Sequence, residues 1–129
     1  MGQTALKNQR EFDLEDRLID FAVMIIHLAE SLPKTKTGSH IAGQIIRCAT
    51  SPASNYGEAQ AAESRKDFIH KMKISLKELR ETKVWLKMIL KANMTKSSEK
   101  IDQLIDESNQ LISILIFVAS VKTAKQNSS

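Results

Sequence analysis

Apolar residues recur at helical spacing along nearly the whole chain, and the interruptions are few enough to count. Four glycines and two prolines punctuate 129 residues, too few for a turn-rich β protein. The rhythm predicts four helices. The first runs from about Asp13 to Ser31, with Asp13, Glu15 and Asp16 in its first turn, where the helix dipole favours anions. Pro33 follows its end, and Lys34–Thr37 form a loop. The second runs from about Gly38 to Glu63. Pro52 lies inside it, removes one backbone donor and crowds the Cys48 carbonyl, which predicts a kink or a short break. Ser64 reads as the N-cap of the third helix, with Asp67 three residues on, and that helix lasts to about Asn93. After a joint at Lys96–Ser98, Ser98 with Glu99 behind it opens a fourth helix that ends near Val121.

Long helices on short loops pack antiparallel, so the expected fold is all-α: an up-down-up-down four-helix bundle in one domain. Residues 13–121 form that bundle, residues 1–12 read as a flexible N-terminal tail, and the polar residues 122–129 as a disordered C-terminal tail. The second helix is rich in small residues (Gly43, Ala49, Ala53, Gly57, Ala59), which suits packing on more than one side.

The first and fourth helices demand more burial than four rods supply. Leu18, Ile19, Phe21, Ala22, Val23, Met24, Ile25 and Ile26 surround the first, and Leu111, Ile112, Ile114, Leu115, Ile116, Phe117, Val118 and Val121 surround the fourth. A helix that is apolar all round must be covered all round. Neither run, Leu18–Ala29 with Asp20 and His27 inside it or Leu111–Val121, reaches the roughly 20 residues of a membrane span. The leftover faces therefore point to other copies of the chain, a homo-oligomer, with no membrane involved. The single Cys48 excludes an intrachain disulfide, suits a small buried hydrophobe and favours a reducing, cytoplasmic compartment. Residues 1–12 lack the apolar run of a signal peptide.

Catalytic constellations are missing. A di-iron bundle needs two Glu-x-x-His motifs, and the nearest match is one Asp67…His70. His27, His40 and His70 stand on three different helices without a partner at helical spacing, and they read as surface or packing side chains. There is no zinc spacing, glycine-rich phosphate loop or nucleophile elbow. The sequence reads as a non-enzyme with no metal and no cofactor.

What the chain does show is a local positive field. Residues 65–96 hold ten Lys and Arg against three acids, +7, while the whole chain is +4, so the rest sums to −3. On a wheel of about 100° per residue, Lys66, Lys73, Lys77, Arg80, Lys87 and Lys91 fall within an arc of roughly 80°. The core arc (Phe68, Met72, Leu76, Leu79, Leu86, Leu90) lies beside or opposite it, and Trp85, Ile74 and Met88 form a second apolar flank near Glu78 and Glu81 that suits a subunit contact. A row of cations at one per turn suits a phosphate backbone. A solvated face and an acidic protein partner explain the same row. Aromatics interleaved with the cations are absent, which argues against stacking on single strands.

Several runs are family-like: Arg47-Cys48-Ala49-Thr50-Ser51-Pro52-Ala53-Ser54-Asn55-Tyr56-Gly57-Glu58, then Ser64-Arg65-Lys66-Asp67-Phe68-Ile69, then Ser75-Leu76-Lys77-Glu78-Leu79-Arg80-Glu81-Thr82 with Trp85-Leu86. Over about Phe21 to Met94 they resemble the bacterial four-helix bundle proteins encoded in intervening sequences of 23S ribosomal RNA genes. Tyr56-Gly57 stands where that family usually has an aliphatic residue and Ala. The resemblance implies a small antiparallel bundle assembling as a homopentamer of unknown function. It extends to the accessory protein of diversity-generating retroelements, a basic pentamer that engages a reverse transcriptase and nucleic acid. It also implies a structural role for Arg47, Ser51, Asn55, Glu58, Glu78 and Glu81, with Arg47, Asn55 and Glu58 buried and satisfying one another or the break at Pro52. Together these readings lead to a non-enzymatic bundle that binds RNA or another nucleic acid through the third helix. The alternative is an adaptor docking an acidic protein such as a reverse transcriptase.

Overall fold

Each predicted helix forms, and its ends show what stops it. The computed structural model describes residues 13–128, with side chains to Thr123. Its elements are α1 (Leu14–Ser31), α2 (Lys36–Gln60), α3 (Arg65–Lys91) and α4 (Ser98–Ser128), with no strand among the described residues. The expected tail at residues 1–12 lies outside them. Asp13 caps α1 by accepting from the Asp16 N–H at 3.0 Å. Thr35 caps α2 through the Gly38 N–H, also at 3.0 Å, so α2 starts two residues before Gly38. Gly38 is buried, and a Cβ there would overlap the Pro33 carbonyl. Glycine is needed at this turn for close approach.

Ser64 caps α3 as the sequence indicates, accepting from the Asp67 N–H at 3.0 Å. The far end of α3 closes on Asn93 with φ 55°, the left-handed conformation that Asn tolerates. The Asn93 N–H then bonds the Leu90 carbonyl at 3.2 Å, and the Met94 N–H bonds the Ile89 carbonyl at 3.1 Å, which satisfies two orphan carbonyls. Ser97, rather than Ser98, accepts from the first turn of α4 through the Lys100 N–H at 3.4 Å.

Two expectations change. α2 runs without interruption through Pro52, whose ring is buried. The Ser75 hydroxyl of α3 reaches the Pro52 carbonyl at 3.4 Å, so packing against the next helix outweighs one missing backbone donor. At the other end α4 continues to Ser128 instead of fraying after Val121. Lys122 Nζ donates to the Gln60 side chain at 2.7 Å and lies 5.2 Å from the centroid of the Phe68 ring, which ties this last stretch to the end of α2 and the start of α3.

One core is shared by all four helices. Phe21 and Ile25 of α1, Ile45 of α2, Met72, Leu79, Leu86 and Ile89 of α3, and Ile101, Leu111 and Leu115 of α4 are fully buried in a single cluster, so the chain is one domain. α2 packs on α1 and α3, and α3 on α4, whereas α1 and α4 meet only along a short stretch. The small residues of α2 are used unevenly, since Ala49 and Ala59 are buried while Gly43 faces open space.

The apolar excess of α1 and α4 divides between core and surface. Ile19, Val23 and Met24 of α1 and Ile116 and Phe117 of α4 are exposed, Phe117 to 69%. By length and composition one helix stretch among the described residues, Ser98–Thr123 of α4, could cross a membrane. It is longer than the Leu111–Val121 run read from sequence. Here its Ile101, Leu104, Ser108, Leu111 and Leu115 form a stripe buried against the other helices, and Glu99, Asp102, Asp106 and Glu107 crowd its first half.

Candidate nucleic-acid interface

The outer face of α3 presents all six cations picked out by spacing. Lys66, Lys73, Lys77, Arg80, Lys87 and Lys91 are exposed, and none enters an ion pair among the described residues. The reason is geometric. α3 lies between α2 and α4, so Phe68, Met72, Ser75, Glu78, Leu79, Thr82, Leu86 and Ile89 turn inward and this arc is left to solvent. Of the expected core arc, Leu76 and Leu90 are half-buried at its edges.

Two apolar residues stand among or beside the cations. Val84 and Met88 are each 47% exposed, and on the same wheel Val84 falls near 0°, inside the cationic arc, while Met88 falls near 40°, just beyond its edge at Lys77. Sequence reading put Met88 on a separate apolar flank with Trp85. That flank divides: Met88 stays outside, while Trp85 is half-buried against α2 of its own chain. The Trp85 Nε1–H donates to Glu81 Oε2 at 3.1 Å, and the ring meets His40 edge-on with centroids 6.4 Å apart.

The inward acids of α3 are paired across the α2 seam. Arg47 Nη1 donates to Glu78 Oε2 at 3.2 Å and Arg47 Nη2 to Glu81 Oε2, while its Nε and Nη2 also reach Gln44. Glu78 is buried to 8% exposure. A carboxylate so placed needs a donor, and the Arg47 fork supplies one. Lower on the same seam Lys71 Nζ meets Glu58 at 3.2 Å. Asn55 bonds back one turn to the Ser51 hydroxyl at 2.8 Å and the Ser51 carbonyl at 3.1 Å, beside Pro52.

The expectation that Arg47, Asn55 and Glu58 are buried and satisfy one another or the break at Pro52 is corrected for Arg47 and Glu58, while Asn55 is half-buried and bonds Ser51 beside Pro52. Arg47 and Glu58 have half-open side chains, and each pairs with α3 rather than with the other. Turn-spacing along α2 suggested partners within that helix, but the crossing of α3 supplies them. A second link was absent from the sequence reading: Arg17 of α1 forks onto Glu107 of α4 at 2.9 and 2.8 Å and onto Gln110 at 2.8 Å. Its one signal was an arginine set at the start of a strongly apolar helix.

No cluster of three or more His, Cys, Asp or Glu placed to hold a metal occurs among the described residues. Cys48 is buried, the Thr82 hydroxyl lies 3.2 Å from its sulfur, and burial pushes its thiol pKa up, opposite to what a nucleophile needs.

The family model described as "23S rRNA-intervening sequence protein" matches residues 10–116. A solved crystal structure from Bacteroides thetaiotaomicron VPI-5482, described as a protein of unknown function from the S23 ribosomal protein family, superposes with a TM-score of 0.76 at 32% sequence identity, covering 82% of this chain and 97% of that one. No curated protein matches the chain.

Proposed function

The chain belongs to the 23S rRNA-intervening sequence protein family, and on that footing we propose that it works without catalysis, as a homo-oligomeric antiparallel bundle that binds RNA through the outer face of α3. The supporting observation is the row of six exposed cations along a single arc of one helix, none of them in an ion pair among the described residues. Phosphate contacts of this kind give affinity with little sequence reading. The family description refers to 23S rRNA, which suits such a ligand. Assembly in the cytoplasm as a pentamer multiplies the row around a ring, so weak single contacts become useful avidity. Ile19, Val23, Ile116 and Phe117 supply the uncovered apolar surface for that assembly.

The test is RNA titration against salt. If all six cations contact phosphates, the log–log slope approaches about −5 on duplex and about −4 on single strands. Absence of binding at low salt overturns the reading. A second reading has its own observation, the exposure of Val84 among the cations and of Met88 at their edge. A phosphate backbone has no use for them, whereas an acidic amphipathic helix of a protein partner does. Val84→Ser with Met88→Ser separates the two: RNA binding survives if phosphates are the ligand, and partner docking fails if a protein is.

A further inference from the structure

The short meeting of α1 and α4 leaves a cavity at one end of the molecule. Near the start of α1 the seam is closed by the fork of Arg17 onto Glu107 and Gln110. Two turns further along α1 and one turn back along α4, no side-chain hydrogen bond or ion pair joins the two helices among the described residues, and together with the α3–α4 joint they line an open cavity of about 750 Å³. That volume lies within the range typical of small-molecule sites. The floor is apolar, made by Met24, Leu28, Met94 and Leu104. The two methionines can repack around an irregular ligand.

The polar lining has one sign. Lys96 and Lys100 line the cavity, no Asp or Glu does, and neither lysine enters an ion pair among the described residues. The first turn of α4, which carries Lys100, adds its positive dipole end on the same side. We propose that this cavity binds an amphipathic anion, a carboxylate on an aliphatic body, with the headgroup between Lys96 and Lys100 and the tail on the methionine-lined floor. The site is distinct from the α3 stripe and does not depend on RNA binding.

Dodecanoate, titrated below its critical micelle concentration by calorimetry, tests this. One saturable site per chain is expected, with affinity at least tenfold above that of dodecyltrimethylammonium, which has the same tail and the opposite charge. Lys96→Gln with Lys100→Gln should lower dodecanoate affinity at least tenfold and leave dodecanol unaffected. The same charge loss on the stripe, Lys66→Gln with Lys73→Gln, should change neither. Gln103→Trp, an exposed lining position, should block dodecanoate and dodecanol alike while the helical circular dichroism is retained. No saturable binding, equal affinity for the two charged amphiphiles, or indifference to the Lys96/Lys100 pair overturns the proposal.

Discussion

The two faces of α3 treat charge in opposite ways. On the face toward α2, Glu78 and Glu81 are held by Arg47, Glu81 also accepts from Trp85, and Lys71 is held by Glu58. On the outer face six cations stand without an ion pair among the described residues. The contrast shows that acids are available to this helix and are spent on the seam. Burial explains the pairing of Glu78, since an unpaired charge in low dielectric is expensive. The more open Glu81 and Glu58 pair because the crossing of α2 and α3 brings cations beside them. Nothing in the folding of one chain requires the outer row, so stability and ligand binding should separate by face.

The largest effect should come from reversing the outer row. Lys73→Glu, Lys77→Glu, Arg80→Glu and Lys87→Glu together should weaken RNA binding by more than about a hundredfold at low salt, because four counterion-releasing contacts turn repulsive. The melting temperature should barely move, since exposed side chains away from packed features contribute little to stability. Loss of the helical circular dichroism signal in this variant would break the comparison.

The inner face should behave in reverse. Leu79→Ala removes a fully buried side chain from the seam and should cost about 2–5 kcal/mol in denaturant unfolding. RNA affinity at a temperature where the variant is folded should stay near the parent value. A parallel fall in affinity would mean that the two faces are coupled.

Most of this division was legible in the sequence, because helical periodicity and caps are local. Ser64, Asp67 and Pro33 marked ends that the chain uses, and 3.6-residue spacing alone placed Lys66 and Lys91 on one line. What escaped depends on contacts between residues far apart in the chain. Arg47 finds its acids 31 and 34 positions away, and Arg17 finds Glu107 90 positions away. Spacing within a helix cannot reveal which neighbour crosses it, so Arg47 was assigned to partners on its own helix. The cavity between α1 and α4 was invisible for the same reason, since it exists only where two helices diverge. The run past Val121 depended on the contacts of Lys122 with Gln60 and Phe68, again from other helices.

A smaller effect would sharpen the comparison by releasing the inner charge. Glu78→Gln with Glu81→Gln leaves Arg47 without its carboxylates and raises the net charge of α3 by two. A melting temperature a few degrees lower is expected, from loss of the charge-assisted bonds. RNA affinity should rise by roughly twofold to tenfold as the local field strengthens. Unchanged affinity would show that only direct phosphate contacts matter and that the inner acids do not temper the outer row.

The smallest effect should come from the paired charge across the other seam. Arg17 is 40% exposed at its side chain and Glu107 21%, and the Glu107 hydrogen bond raises the Arg17 pKa, with burial opposing it. Water screens such a pair, so Arg17→Ala should cost at most about 1 kcal/mol. If pairing serves mainly to hold α1 against α4, the readout will lie elsewhere. The fork joins α1 to α4 near the start of α1, and amide exchange in Leu14–Phe21 and in the facing turn around Gln110 should accelerate in this variant while the α2–α3 seam keeps its protection. Equal acceleration in both seams would show that the core responds as one unit, and that the difference between the two regions is confined to their surfaces.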